Sequence, residues 1–289
     1  MKKYAIGVDV GGSHLNSAVI DLESRKVCSE SLVTPMDSSA PGAEVLDCFR
    51  QNLLGSIEGF GGEVAQIGLA FPGPFDYNKG VSYMEHKFEH LYGIDLPQAL
   101  RNLLQKPGLE FRFVNDASAF ALGECFCGSA QGRHRVLALT LGTGVGSGFV
   151  VDGVLDDSSE AVPAGGEVWN LPFENTIVDD SFSTRWFVRR YLQLAGKQVK
   201  GAKEVAEGYG TDPASTQIFN EYGSRLGSFA TPVLERFGAD TLVLGGNISR
   251  NFKIFEGPLK AALPAGVEVR TSTLLDRAAI IGSASLFSK

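Results

Sequence analysis

The chain has 289 residues, 44% apolar and 20% charged, with a net charge of −7. That length is long for one simple core and suits two lobes, and the composition excludes disordered and fibrous classes. The acidic balance, with Lys and Arg scattered along the chain, argues against a nucleic-acid-binding face.

The opening Met1-Lys2-Lys3 and the apolar residues after it mimic a signal segment, but Asp9 interrupts the run too early. Tyr4 to Val10 is predicted as a strand ending in Gly11-Gly12-Ser13, with further strands over Leu15 to Asp21 and Lys26 to Val33. A helix near Ala43 to Leu54 and a strand Gln66 to Ala70 follow, then a Pro72-Gly73-Pro74 turn, a helix near Pro97 to Leu104 and a strand Phe111 to Asn115. At Val136 the opening pattern returns. A strand to Leu141 ends in a glycine-rich turn, Gly142 to Gly148, and a strand over Phe149 to Asp152 follows. An offset of 131, Asp9 onto Thr140, superposes the two units, with Gly11 on Gly142 and Val19 on Val150. Helices are predicted near Phe182 to Ala195 and Pro213 to Phe237, a strand over Thr241 to Leu244, and a last helix near Ala278 to Phe287. Alternating strands and helices indicate an α/β fold. The expected division is a first lobe over 1–117, a second over 118–275, and the last helix, about 276–289, returning to the first. No stretch has the length of a membrane span.

Glycine turns after strands can present backbone N–H groups to phosphate, since no side chain blocks the approach. The P-loop pattern is absent, and the dinucleotide fingerprint needs a helix where Phe149-Val150-Val151 reads as a strand. Two equivalent turns, Gly11-Gly12-Ser13 and Gly142-Thr143-Gly144, one per lobe, would face each other across a cleft and grip one polyphosphate. Gly245-Gly246-Asn247 offers a third close-approach turn, suited to a nucleoside. Asp9, just before the first turn, is a candidate outer partner of Mg²⁺ through water; its alternative is to cap the turn.

Asn115-Asp116 places a carboxylate where a strand meets a helix. In an arbitrary protein Asp116 would be a helix cap. Beside two phosphate turns it becomes the candidate base that takes a proton from an attacking alcohol. Asn115 can bond neighbouring hydroxyls. Glu167 and Asn170, three apart in a glycine-rich loop, form a pair for adjacent hydroxyls, and Trp169 between them reads equally as core. Asp179 is a further acceptor or the start of a helix. Gly73 joins this sugar-side set.

The four cysteines, Cys28, Cys48, Cys125 and Cys127, imply no disulfide framework and suit a reducing, cytoplasmic setting. Cys125-x-Cys127 lacks a second ligand pair at metal spacing. His86 and His90 lack a third ligand and read as an exposed or packing pair.

Asp9-Val10-Gly11-Gly12-Ser13, Val114-Asn115-Asp116-Ala117, Leu141 to Gly148, Gly166-Glu167 and Val243-Leu244-Gly245-Gly246 resemble, in order and spacing over nearly the whole chain, the ROK family of bacterial repressors, open reading frames and kinases, which includes many glucokinases. The resemblance implies two ribonuclease-H-like lobes of the actin-like ATPase fold, ATP with Mg²⁺, and phosphoryl transfer to a hexose or amino sugar. By position, Asp116 looks like the family's catalytic base, and Asn115, Glu167, Asn170 and Asp179 fall where the family binds sugar. Many members carry a His at the position of Asn170 and a zinc site with a nearby Cys-rich loop. Both are missing here, so no zinc is expected. Asp179 stands where a Glu is usual, and His14 follows Ser13 where Thr-Lys is common. The alternative to a kinase is a non-catalytic, sugar-sensing regulator. The family's repressors carry a helix-turn-helix before the first glycine turn, and the eight residues ahead of Asp9 leave no room for one. The expected partners are a sugar and ATP, with no nucleic acid and no membrane; a homodimer is compatible.

Overall fold

The computed structural model describes residues 3–288. In chain order come β1 (Tyr4–Val10), β2 (His14–Asp21), β3 (Lys26–Val27), β4 (Leu32–Pro35), α1 (Gly42–Phe60), β5 (Gln66–Phe71), β6 (Phe75–Asp76), β7 (Val81–Ser82), α2 (Leu96–Leu104), β8 (Glu110–Asn115) and α3 (Asp116–Cys127). There follow β9 (Arg135–Leu141), β10 (Val145–Val151), β11 (Val154–Leu155), β12 (Pro172–Phe173), β13 (Thr176–Ile177), α4 (Val178–Phe182), α5 (Thr184–Ala195), α6 (Ala202–Glu207), α7 (Pro213–Phe237), β14 (Thr241–Gly245), α8 (Gly246–Ser249), α9 (Phe252–Ala262), β15 (Glu268–Thr271) and α10 (Ala278–Ser285). The residues up to Gly128, with those from Asp276 onward, form one compact unit; Ser129–Leu275 form the other. α3 therefore stays with the first unit, past the division at residue 117 suggested by the sequence.

In the first unit the sheet order is β3-β2-β1-β5-β8, with β4 beside β2. β1 runs antiparallel to β2 and parallel to β5, which is parallel to β8. Side chains alternate between the faces of a strand, and β1 uses the two faces differently. Ile6, Val8 and Val10 join Val45, Phe49 and Leu53 of α1 in one core. On the other face the small residues let a helix come close. Gly7 and Gly68 are cross-strand partners. A Cβ on Gly7 would stand 1.8 Å from the Ile280 carbonyl oxygen, and one on Gly68 1.9 Å from that of Ser283. α10 thus lies directly on the strands, and α3 closes on its far side, where a Cβ on Gly282 would meet the Ala119 carbonyl at 1.8 Å. The Val8 N–H donates to Ser283 Oγ at 3.2 Å, joining helix to strand. Asp9 follows Gly7 by two and so emerges on this same face, toward α3 and α10.

The second unit repeats the topology, with order β11-β10-β9-β14-β15: an antiparallel β9–β10 hairpin, then β14 and β15 parallel to β9. The single offset of 131 holds only for the first strand of each hairpin. Val10 pairs with Leu15 across a longer turn, whereas Leu141 pairs with Val145. The second turn is one residue shorter, so Val19 corresponds to Phe149 and not to Val150: each is the partner of the residue that 131 does relate, Ile6 and Leu137. A slip of one residue exchanges the faces of a strand. Below this sheet Phe182, Trp186, Phe187, Phe219, Tyr222 and Phe255 form a buried aromatic cluster. Two further expectations differ. Lys26 to Val33 is two short strands separated by residues 28–31, and the helix from Phe182 is broken at Ser183 into α4 and α5.

Candidate active site

β1, β5 and β8 are parallel neighbours, and their carboxyl ends bring together Asp9, Phe71 and Asn115; Phe71 and Asn115 are register partners. Carboxyl ends of parallel strands are where open α/β sheets gather ligand-binding groups. The Pro72-Gly73-Pro74 turn leaves β5 here, with a cis Gly73–Pro74 bond. A Cβ on Gly73 would lie 3.4 Å from Tyr77 Oη.

Helix capping falls to Asn115, and not to Asp116. Asn115 Oδ1 accepts from the Ala117 N–H at 2.9 Å and the Ser118 N–H at 3.3 Å. Its amide donates to Tyr77 Oη at 3.3 Å, and Tyr77 donates to the Phe71 carbonyl at 3.1 Å. The acceptor of Asn115 is thus committed to the helix, which leaves its amide N–H₂ as the group available to a neighbouring hydroxyl. Asp116 is left as the first residue of α3, its carboxylate accepting from the Ala117 N–H at 2.8 Å and exposed to solvent.

Two carboxyls at this site are held above the ordinary carboxylate range. Asp9 is pushed up to about 6 by burial first, then by the negative charges of Asp116 and Asp276, with His14 opposing. Asp116 is also raised, by the density of protein around it, against its own and the Ala117 N–H groups and Lys87. Although its surroundings are dense, Asp116 is exposed, and this exposure decides what can reach it. Asn16 stands opposite Asp9 across the β1–β2 pair, and its Oδ1 is buried with no donor among the described residues. A desolvated carboxylate beside an unsatisfied amide oxygen suits a hard cation or its bound water. Among the described residues no cluster of three His, Cys, Asp or Glu side chains could hold a metal by itself.

The two glycine turns share one hydrogen-bond plan. The Gly11 N–H donates to the His14 carbonyl at 3.0 Å, and the Gly142 N–H to the Gly144 carbonyl at 3.0 Å. In each turn the next two N–H groups, of Gly12 and Ser13 and of Thr143 and Gly144, make no hydrogen bond among the described residues. The first turn is further held by Ser38, whose N–H donates to the Gly12 carbonyl at 3.0 Å. At the second, Thr184 donates to the Gly142 carbonyl from its N–H at 2.8 Å and its hydroxyl at 2.9 Å.

Asp179 closes the other end of that turn. Its Oδ1 accepts from the Val145 N–H at 2.7 Å, and its other oxygen pairs with Arg185. One carboxylate oxygen braces the glycine turn and the other is paired with Arg185, so in this structure both oxygens of Asp179 are engaged. The loop carrying Glu167 and Asn170 is tied to the same region: the Asp179 N–H donates to the Trp169 carbonyl at 2.9 Å. Trp169 is exposed, not core, and its indole N–H donates to Glu167 Oε2 at 2.9 Å. Asn170 is exposed beside it.

Gly245 is the register partner of Thr140, beside the second turn. Gly246 has φ 78°, and a Cβ there would meet the Leu141 carbonyl at 2.3 Å; both facts require glycine. Asn247 is exposed in α8. The first unit therefore gathers Asp9, Gly11, Gly12, Ser13, Gly73, Asn115 and Asp116, and the second gathers Gly142, Thr143, Gly144, Asp179, Glu167, Gly245 and Gly246. Sequence reasoning missed Asn16, Tyr77, Thr184 and Arg185. Only contact across the fold reveals the first two, whereas Thr184 and Arg185 follow Asp179 closely in the chain.

Two α/β units, each opening on a hairpin whose glycine turn leaves N–H groups free, with a carboxylate pair beside the first turn, define the actin-like ATPase class of fold. The sequence model of the ROK family matches residues 5–160, and the chain belongs to that family. It is 26% identical to a glucokinase of Thermotoga maritima, with 100% of this chain and 98% of that one covered. It is also 26% identical to an N-acetyl-D-glucosamine kinase of Haemophilus influenzae, over 89% of this chain and 88% of the other. A ROK family glucokinase from Streptomyces griseus, solved in complex with glucose and AMPPNP, superposes with a TM-score of 0.73 at 22% identity, covering 98% of each chain.

Proposed function

We propose that this chain is an ATP-dependent sugar kinase that transfers the γ-phosphoryl group of ATP to a hydroxyl of a hexose or amino sugar. The relatives named above are a glucokinase and an N-acetyl-D-glucosamine kinase, and the similar solved structure carries glucose and an ATP analogue. The observation that carries the reading is the division of labour at the start of α3. Asn115 caps the helix, and Asp116 keeps an exposed carboxylate beside Asp9.

Asp116 accepts the proton of the attacking hydroxyl as its oxygen bonds to the γ-phosphorus and the bond to ADP breaks. Its raised basicity suits this task, because a carboxyl held above its ordinary range takes a proton more readily. The free N–H groups of Gly12 and Ser13, and of Thr143 and Gly144, donate to phosphate oxygens. Gly245, Gly246 and Asn247 serve the nucleoside; Glu167, Asn170, Asn115 and Gly73 serve the sugar. Asp9, with Asn16 beside it, would hold Mg²⁺ through water. Bound there, Mg²⁺ neutralises charge on the phosphate chain.

Incubation with ATP, Mg²⁺ and a panel of hexoses and hexosamines, with ADP release measured, tests the reading. Release with at least one sugar, slowed at least about a hundredfold by Asp116→Asn, is expected. No release with any sugar overturns it.

A further inference from the structure

We infer that Trp169 is a sugar-contacting, specificity-determining residue whose indole face carries the C–H face of a pyranose ring. The inference rests on the reading of Glu167 as a sugar ligand. Trp169 is 42% exposed, which for so large an apolar side chain leaves much surface in water.

The ring is nonetheless held in place. Its N–H donates to Glu167 Oε2 at 2.9 Å, and its backbone carbonyl accepts from the Asp179 N–H at 2.9 Å. Between the two, Val168 is fully buried, its N–H donating to Ser147 Oγ at 3.1 Å, while Ser147 Oγ donates to the Gly166 carbonyl at 2.6 Å. Val168 is thus nailed to β10, and Glu167 and Trp169, two apart, are fixed on either side of it. An exposed aromatic plane locked to a carboxylate has the two surfaces that a pyranose offers in complement. Ring hydroxyls take the carboxylate, and the apolar C–H face takes the indole. Sites for small polar ligands combine an apolar wall with a few placed polar groups in this way.

The chain has two tryptophans, and the other, Trp186, is 4% exposed within the aromatic core. Both tryptophans emit, so the part of a ligand-induced change that belongs to Trp169 is isolated by comparison with Trp169→Phe, which leaves Trp186 in place. D-glucose and N-acetyl-D-glucosamine are the probes, each titrated into wild type, Trp169→Phe and Trp169→Ala, with steady-state kinetics on the same proteins. In wild type, the sugar that is phosphorylated should change the emission, and the change should vanish in Trp169→Phe. Trp169→Ala should raise the sugar KM by about tenfold, the scale of one lost aromatic contact, with the KM for ATP unchanged. Trp169→Phe should stay within about threefold of wild type, because it keeps an aromatic face while losing the N–H. If Phe is as damaging as Ala, the indole acts only by holding Glu167, and the inference fails. It fails equally if Ala leaves the sugar KM unaltered, or if the emission change survives in Trp169→Phe. Wild type that neither binds nor phosphorylates either sugar overturns the sugar reading of Glu167 and this inference with it. Wild type that turns over while Trp169→Ala matches it overturns this inference alone. Thermal unfolding of both variants should match wild type, since the side chain is exposed.

Discussion

Asp179 Oδ1 accepts a hydrogen bond from the Val145 N–H at 2.7 Å, so a carboxylate expected from the sequence to serve the sugar braces the end of the second glycine turn. Removing one partner of a hydrogen bond to a charged group costs about 1.5–3 kcal/mol. Asp179→Ala should therefore loosen the turn and raise the KM for ATP by about tenfold or more, with a smaller change for sugar. Arg185 pairs with Asp179, but its side chain is 53% exposed. Exposed ion pairs contribute little, so Arg185→Ala should change either KM by no more than about threefold. A sugar KM that rises more than the ATP KM in Asp179→Ala would return the residue to the sugar.

The raised carboxyl of Asp9 predicts a pH-dependent stability. Between the ordinary carboxylate range and about 6, the folded chain retains a proton that the unfolded chain has released. The contribution of Asp9 to stability is therefore fullest at acid pH and is lost as pH rises through that window. Asp116 and Asp276 face Asp9 and deepen the effect, and His14 opposes it. Asp9→Asn removes the buried charge. It should stabilise the ligand-free protein at pH 7.5 by up to about 3 kcal/mol and have little effect near pH 4. Melting curves across pH check this; an equal effect at both pH values counts against it.

Much of this arrangement is written locally and much is not. The apolar runs of β1 and β9 mark their own ends, because central strands covered on both faces read as continuous apolar stretches. The repeat is visible, yet the shorter turn over residues 142–144 is not, because glycines on both sides allow either alignment. α9 escapes notice because Gly257 and Pro258 interrupt its pattern. Asn115 and Asp116 are adjacent and both favour helix starts, so only the hydrogen bonds decide which one caps. Trp169 next to Val168 looks like core by composition, and which of the two is buried depends on the Ser147 anchor on β10. Asp179 could be read as helix start or sugar ligand; it stands in the first turn of α4, and the bond its carboxylate accepts from the Val145 N–H, a brace on the glycine turn, depends on contact across the fold.

Two glycines separate folding from phosphate binding. Ala at Gly7 would drive a Cβ into the Ile280 carbonyl at 1.8 Å, with α10 pressed between the strands and α3 and unable to retreat. Overpacking of this kind costs about 1–3 kcal/mol or more, so Gly7→Ala should lower the melting temperature sharply. At Gly142 an added Cβ meets nothing within 4 Å. Gly142→Leu should fold normally and still weaken ATP binding more than sugar binding, because its side chain obstructs the approach to the free N–H groups of Thr143 and Gly144. Equal losses for ATP and sugar, or none, would remove the turn from the phosphate site.

The start of α3 offers the most direct test of the chemistry. A sugar hydroxyl is a weak nucleophile at neutral pH, and general-base assistance supplies about a hundredfold to ten-thousandfold. Asp116→Asn keeps the shape and the bond from the Ala117 N–H but removes the basic oxygen. It should lower kcat by at least about a hundredfold and leave the sugar KM nearly unchanged. A general base works only when deprotonated. Wild-type activity should therefore fall as pH drops through the raised titration of Asp116, and the residual activity of the variant should lack that dependence. Asn115→Ala provides the contrast. Its Oδ1 holds the Ala117 and Ser118 N–H groups, and loss of such a cap costs about 1 kcal/mol. That variant should unfold at lower temperature, whereas Asp116→Asn, which leaves the cap intact, should melt near wild type. If Asp116→Asn lost stability but kept near-normal turnover with the best sugar, Asp116 would be a structural residue and the base would lie elsewhere.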